Sequence, residues 1–320
     1  MNIVITYFVD KNERSYFKSL ETKANIIFLK DLDKKERGQE LSKADIIFSW
    51  NPPKELDNLE KSLLKQLKFV QLLSAGYDHI NFDMFPDDCV IAANQGAYAE
   101  PMAEHTVAMI LALSKRLIVN HNKMLKGEFD QVTQNRSLKN STAGIIGFGG
   151  IGKSTAKLLK NFSVSILAVN TSGKTDEAVD YIGTLKDLDY VLTKSDIIIL
   201  SIPLNKSTAG LISKRELELM KPNAMLINIA RGDLIVEKDL FEHLQSHPEF
   251  LAGIDAWWIE PFNKGEFRLD YPFLDLPNVI GSPHNSALIP GALVEGQKRA
   301  LQNLIHFIEN KPMFGIINRD

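Results

Sequence analysis

Short, uninterrupted apolar runs recur along the chain, separated by polar stretches. In the first third they fall at 2–8 (NIVITYF), 25–29, 44–50, 68–74 and 89–94. Continuous runs of this length belong to parallel strands covered on both faces, where no position alternates out to water. The segment 53–67 between two of them reads as helical, so the pattern is a β/α alternation and predicts an α/β unit. A long helix is expected over 101–120; its small and apolar residues run almost all round, as in a helix buried between larger bodies. Residues 127–139 are polar and loop-like. A second α/β series follows, with strands expected at 141–148, 164–170, 195–203, 224–230, 251–257 and 278–284, and helices at 153–160, 214–220 and 238–245. This spacing suits βαβ units with right-handed crossovers. A last helix is expected over 288–309, before a tail containing Pro312 and Gly315.

Composition narrows the classes. At ~100–200 residues per domain, 320 residues suggest two domains. Hydrophobic residues make up 44%, enough for full cores, and the net charge of −3 comes without a long charged run. Bulk charge therefore gives no reason to expect a nucleic-acid partner. The single cysteine, Cys89, excludes an intrachain disulfide and a cysteine-built metal centre. No metal is expected. The N-terminal apolar run has no basic region before it and reads as a strand, not a signal peptide. No run approaches the ~18 apolar residues of a membrane span. A cytoplasmic protein without a membrane partner is the expectation.

Gly147-Phe148-Gly149-Gly150-Ile151-Gly152 is a G-x-G-x-x-G that follows an expected strand and opens an expected helix. In that context the first glycine permits a tight turn, the second lets backbone approach a pyrophosphate, and the third lets helix and strand pack closely. The helix N-terminus adds free N–H groups and partial positive charge. The plainer reading is an ordinary βα turn. An acidic residue commonly ends the next strand and binds the ribose hydroxyls; here Asn170 stands there, followed by Thr171, Ser172, Gly173 and Lys174. Without a carboxylate to repel it, a 2′-phosphate can be accepted, and Thr171, Ser172 and Lys174 offer hydrogen bonds or charge. This favours NADP(H) over NAD(H). The same residues also suit a simple turn.

Seven segments together resemble the D-isomer-specific 2-hydroxyacid dehydrogenase family: SAGYDHI (74–80), NQGAYAEPMAEHT (94–106), GFGGIG (147–152), SIPLNKST (201–208), NIARGDLI (228–235), DAWWIEP (255–261) and SPHNSA (282–287). Their order and spacing cover nearly the whole chain. The resemblance implies two Rossmann-like, doubly wound parallel-sheet domains. An NAD(P)-binding domain, 97–288, would be inserted into a discontinuous substrate domain, 1–96 and 289–320, with the active site in the cleft and a homodimer formed through the coenzyme domain. It also implies the cofactor contacts Gly147, Gly149, Gly150, Ile151, Gly152, Pro203, Thr208, Ile229, Ala230, Arg231, Asp255, His284, Ser286 and Ala287, with Asp255 at the nicotinamide carboxamide. Ala75 and Gly76 would bind the substrate carboxylate through backbone N–H groups, and Trp50 would face the substrate.

The catalytic set the resemblance implies is Arg231, Glu260 and His284. Reducing a 2-keto acid needs a proton donor at the carbonyl oxygen, and an imidazole of ordinary pKa ~6.5 suits that task. A carboxylate beside the ring stabilises the imidazolium and orients it. A substrate carboxylate calls for a planar, forked cation, which arginine supplies and lysine does not. Taken singly, each of these residues is more readily a turn or structural residue; the three together, in family order and behind a dinucleotide turn, reverse that balance. The expected reaction moves a hydride between NAD(P)H and the 2-carbon of a small 2-keto acid or D-2-hydroxy acid, glyoxylate or hydroxypyruvate first. A non-catalytic dinucleotide-binding corepressor or sensor of the same fold is the alternative. The formate dehydrogenase branch is disfavoured, since it carries glutamine at the position of Glu260. Trp257 and Trp258 are open between walling the pocket, packing at a subunit contact and simple burial.

Overall fold

The computed structural model describes residues 1–319. The chain divides into two compact units, Met1–Tyr98 joined by the C-terminal stretch from Pro290, and Ala99–Ile289.

The first unit carries five parallel strands: β1 (Asn2–Ile5), β2 (Asn25–Phe28), β3 (Ile46–Ser49), β4 (Phe69–Leu72) and β5 (Val90–Ala92), in the order β2-β1-β3-β4-β5. Successive side chains of a strand point to opposite faces. Val4, Ile47, Val70 and Ile91 pack on one face, and Ile3, Ile5, Phe48 and Phe69 on the other. Both faces are covered, which is why the apolar runs are continuous. Each such side chain, fully buried, contributes roughly 1.5–3 kcal/mol. The helix Ala292–Ile308 closes the second face with Ala300, Leu301 and Leu304.

The second unit carries seven parallel strands: β6 (Thr142–Ile146), β7 (Ser165–Val169), β8 (Tyr181–Gly183), β9 (Ile197–Leu200), β10 (Met225–Asn228), β11 (Leu251–Ile254) and β12 (Val279–Gly281). Their order is β12-β11-β10-β9-β6-β7-β8. The winding reverses between β6 and β9, and such a switch point opens a crevice at the strand carboxyl ends. These two sheets are the doubly wound α/β architecture expected from the sequence.

The elements differ from expectation in three places. The helix expected over 101–120 is two helices, Ala99–Ser114 and Leu117–Leu125, broken where Arg116 turns left-handed at φ 53°. Ser114 donates its hydroxyl back to the Ile110 carbonyl at 2.7 Å, a bond that loosens a helix end. The apolar pattern runs through the break because Leu117 and Ile118 are apolar yet half exposed. The segment 53–67 holds two short helices, Pro52–Glu55 and Asn58–Ser62, the second started by a reciprocal cap between Asp57 and Glu60. The edge strand β8 is too short to show as an apolar run. Among the described residues no helix is long and apolar enough to cross a membrane.

Candidate active site

The Gly-rich turn lies at the switch point. Gly147 sits at φ 102°, and a Cβ there would stand 2.5 Å from the carbonyl of Ser201, just beyond β9. The N–H groups of Gly147 and Phe148 both reach the Val169 carbonyl at 2.9 Å, and Ser201 Oγ donates to the Gly147 carbonyl at 2.8 Å. The turn is thus clamped between three strand ends. A Cβ on Gly152 would run into the Gly147 carbonyl oxygen, so only glycine lets the helix sit this close. Gly149 is the contrast: a Cβ there would meet nothing within 4 Å. Gly149 and Gly150 are exposed at the start of the helix Gly150–Lys160, and no side chain caps it. Clear space above uncapped N–H groups is what a dinucleotide pyrophosphate requires, so the residues present fit such a cofactor.

After β7, Asn170 is bound into its own turn. Its Oδ1 accepts from the N–H groups of Ser172 (3.1 Å) and Gly173 (2.7 Å), and its Nδ2 donates to the Lys174 carbonyl at 2.7 Å. The Ser172 hydroxyl also faces the Lys174 carbonyl, at 3.3 Å. Thr171, Ser172 and Lys174 are exposed. Asn170 therefore shapes this loop, while its neighbours carry the groups turned to solvent. Lys153, in the first turn of the Gly-rich helix, forms an ion pair with Asp176 beyond the loop.

The three candidate catalytic residues follow the carboxyl ends of three adjacent strands, β10, β11 and β12. Neighbouring parallel strands bring residues 231, 260 and 284 to one edge of the sheet although up to 53 positions separate them (284 − 231). His284 Nδ1 lies 2.8 and 3.0 Å from the two oxygens of Glu260. Glu260 is buried and also accepts the Trp257 N–H at 2.6 Å. The ring of His284 is about one-third exposed, so with Nδ1 held by the carboxylate, Nε2 is the nitrogen left for a substrate. His284 sits at φ 50°, a conformation costing a non-glycine residue about 1–2 kcal/mol. The loop holds it there through Asp255, fully buried, which accepts N–H groups from Asn285 (3.2 Å) and Ser286 (3.3 Å). The loop before Arg231 is tied by Asn228, whose Nδ2 donates to the Arg231 carbonyl at 2.7 Å. Arg231 itself is partly buried and donates to the Ala230 carbonyl at 2.7 Å.

Other expected contacts fall in varied settings. Pro203 is exposed, and Ile151, Ala230 and Ala287 are half-buried. The Ile229 side chain is wholly within the core, which leaves only its backbone for a ligand. Thr208 is buried, and its hydroxyl closes the 203–208 turn by donating to the Pro203 carbonyl at 2.8 Å and accepting the Asn205 N–H at 2.9 Å. In the first unit, Ala75 and Gly76 follow β4 half-exposed, in a loop shaped by Ser74 Oγ donating to the Gly76 carbonyl at 2.8 Å. Trp50 follows β3 partly buried, its N–H on Glu55 at 3.2 Å.

A family model for the D-isomer specific 2-hydroxyacid dehydrogenase, NAD binding domain, matches residues 107–286. The chain belongs to this family. It is similar to a glyoxylate reductase of Thermofilum pendens, 31% identical over 79% of this chain and 76% of that one. It is also similar to a hydroxypyruvate reductase of Thermotoga maritima, 30% identical over 76% and 77%. Among solved structures, a D-lactate dehydrogenase from Aquifex aeolicus complexed with NAD and lactic acid superposes with a TM-score of 0.73 at 26% identity, covering 97% of this chain and 96% of that one. This dehydrogenase is thus an oxidoreductase that uses a nicotinamide dinucleotide on a 2-keto or 2-hydroxy acid.

Two sets of side chains that support the dehydrogenase's site lie within the motifs without a role that the motifs assign. Trp257 and Trp258 are both buried struts. The Trp257 indole N–H donates to the Ser282 carbonyl at 2.8 Å, and the Trp258 indole N–H to the Ile235 carbonyl at 2.8 Å. One ties the Glu260 loop toward His284, the other toward Arg231. Gly232 lets the last two loops touch, since a Cβ there would stand 2.5 Å from the Trp258 nitrogen. The other set is His105, whose Nε2 lies 2.9 Å from Ser282 Oγ. A doubled tryptophan beside Asp255 was the sequence signal for the first; His105 falls inside the 94–106 segment, but no residue near it pointed to Ser282.

Proposed function

We propose that this dehydrogenase is a cytoplasmic reductase of small 2-keto acids of the glyoxylate or hydroxypyruvate type, preferring NADP(H). The observation that carries the reading is the Glu260–His284 pair at 2.8 Å, with Nε2 open, on the same sheet edge as an uncapped Gly-rich turn. The Gly147–Gly152 turn and the helix behind it hold the pyrophosphate, and Asp255 receives the carboxamide end. Once bound, the nicotinamide supplies the hydride that reaches the keto carbon. His284 protonates the developing alkoxide from Nε2, and Glu260 stabilises the imidazolium and keeps the ring oriented. Arg231 grips the substrate carboxylate and polarises the carbonyl. The preference for NADP(H) is supported by a β7 end without a carboxylate and by exposed Thr171, Ser172 and Lys174. The named relatives are reductases, which favours turnover over a sensor role.

The deciding experiment follows absorbance at the reduced-nicotinamide band, with NADPH and NADH each offered glyoxylate, hydroxypyruvate, pyruvate and phenylpyruvate. Keto-acid-dependent oxidation, fastest with NADPH and a two- or three-carbon acid, is expected. Cofactor binding without oxidation of any pair would overturn the reading in favour of a sensor. A homodimer through the coenzyme-binding unit is part of the proposal. That unit exposes Met124, Leu125, Phe129 and Val132 at 60–88% in and just after the helix Leu117–Leu125, an apolar patch of the kind that partners cover. Sedimentation at twice the 35.9 kDa chain mass is the expected result, and a monomer at micromolar concentration would refute it.

A further inference from the structure

A fully buried carboxylate must have its oxygens satisfied, and Asp255 draws on three residues of the loop after β12 for this. Besides the N–H groups of Asn285 and Ser286, it takes the hydroxyl of Ser282, with Ser282 Oγ 2.5 Å from Asp255 Oδ1. His105, on the helix Ala99–Ser114, brings Nε2 to 2.9 Å from that same Ser282 Oγ and 3.7 Å from Asp255 Oδ1. A serine hydroxyl has one proton, and an ionised carboxylate only accepts. The Ser282 proton therefore goes to Asp255, and the serine oxygen is left to accept from His105. This assigns the tautomer, with His105 carrying its proton on Nε2. The bonds run in one direction, His105 to Ser282 to Asp255, and such a chain polarises each donor in turn.

We infer that His105 is a positioning residue for the nicotinamide end of the cofactor, acting through Ser282 to fix the plane of the Asp255 carboxylate. The inference rests on the reading that Asp255 meets that end. An unbraced carboxylate rotates about its last torsion, and its remaining lone pairs then miss the carboxamide N–H. His105 lies outside the Arg231–Glu260–His284 set and touches none of the reacting atoms.

The test is calorimetric binding by the full-length protein of two ligands, NADPH and ADP-ribose 2′-phosphate, the same molecule without its nicotinamide. In His105→Ala, NADPH affinity should fall about tenfold, the scale of one hydrogen bond to a charged group, while the fragment binds within about twofold of wild type. His105→Gln, whose amide N–H can replace Nε2–H, should recover most of the loss. Ser282→Ala cuts the same chain one link further on and should show the same selectivity, and the double variant should lose no more than Ser282→Ala alone. Equal weakening of both ligands, unchanged NADPH affinity in both alanine variants, or a glutamine variant no better than alanine would overturn the proposal. A wild-type protein that binds fragment and NADPH equally tightly would instead overturn the placement of Asp255 at the nicotinamide end.

Discussion

The two units share one plan and treat its crevice in opposite ways. In the first unit, the switch point between β1 and β3 is filled by the protein's own carboxylate. Glu55 accepts the hydroxyls of Thr6 and Ser49 and the N–H groups of Trp50 (3.2 Å) and Asn51 (2.8 Å). In the second, between β6 and β9, the matching place holds Gly149 and Gly150, and the helix N–H groups have no side-chain partner. A parallel doubly wound sheet offers an anion-binding place at its switch point as a matter of geometry. Whether that place is structural or functional depends on a single choice, an acidic side chain that occupies it or a glycine that leaves it open.

The largest effect expected at the open end concerns the proton donor. His284→Asn keeps a residue that tolerates φ 50°, so the loop should hold while turnover falls about a thousandfold, within the range that general acids contribute. Cofactor affinity by calorimetry should stay within about twofold. Turnover within tenfold of wild type would remove His284 as the donor.

Next comes the exchange of roles between the two switch points. Gly149→Val should fold normally, because its Cβ meets nothing within 4 Å, yet weaken dinucleotide binding at least tenfold by standing where the pyrophosphate goes. Glu55→Ala should do the reverse. It strips the acceptor from four donors and should lower unfolding free energy by about 2 kcal/mol, with dinucleotide affinity unchanged. A Gly149→Val protein that melts early, or a Glu55→Ala protein that loses dinucleotide affinity, would break the comparison.

The smallest effect is a pH dependence of stability within the coenzyme-binding unit. Burial pushes the His243 imidazole down to about 4, with repulsion from His247, stacked on it at 4.1 Å between ring centres, as the lesser cause. An unfolded histidine titrates near 6.5. Between those values the unfolded chain takes up a proton that the folded chain refuses, so this contribution to stability is whole above pH ~6.5 and is lost as pH falls toward 4. Denaturant midpoints at pH 7 and pH 5 should differ more for wild type than for His243→Phe. Equal differences would assign the slope elsewhere.

Some of this molecule could be read before its structure, and the boundary is a physical one. The apolar runs at 2–8, 68–74 and 195–203 announce strands because burial on both faces leaves few polar positions within a run, such as Thr6 and Gln71. The spacing of Gly147, Gly149 and Gly152 announces a tight turn because a Cβ at two of the three would collide. These are local constraints, expressed within about ten residues. The break at Arg116 is not of that kind, since Leu117 and Ile118 keep the apolar pattern going while pointing at solvent. Neither is the fate of Asn170, whose amide is drawn into its own turn. The bonds from Trp257 to Ser282, Trp258 to Ile235 and His105 to Ser282 join positions 25, 23 and 177 residues apart. Residue types alone determined the α/β pattern and which side chains had the right chemistry. Which hydroxyl, indole or imidazole supports that chemistry was decided only when β10, β11 and β12 lay side by side, because a hydrogen bond depends on distance and angle, and neither exists along an unfolded chain.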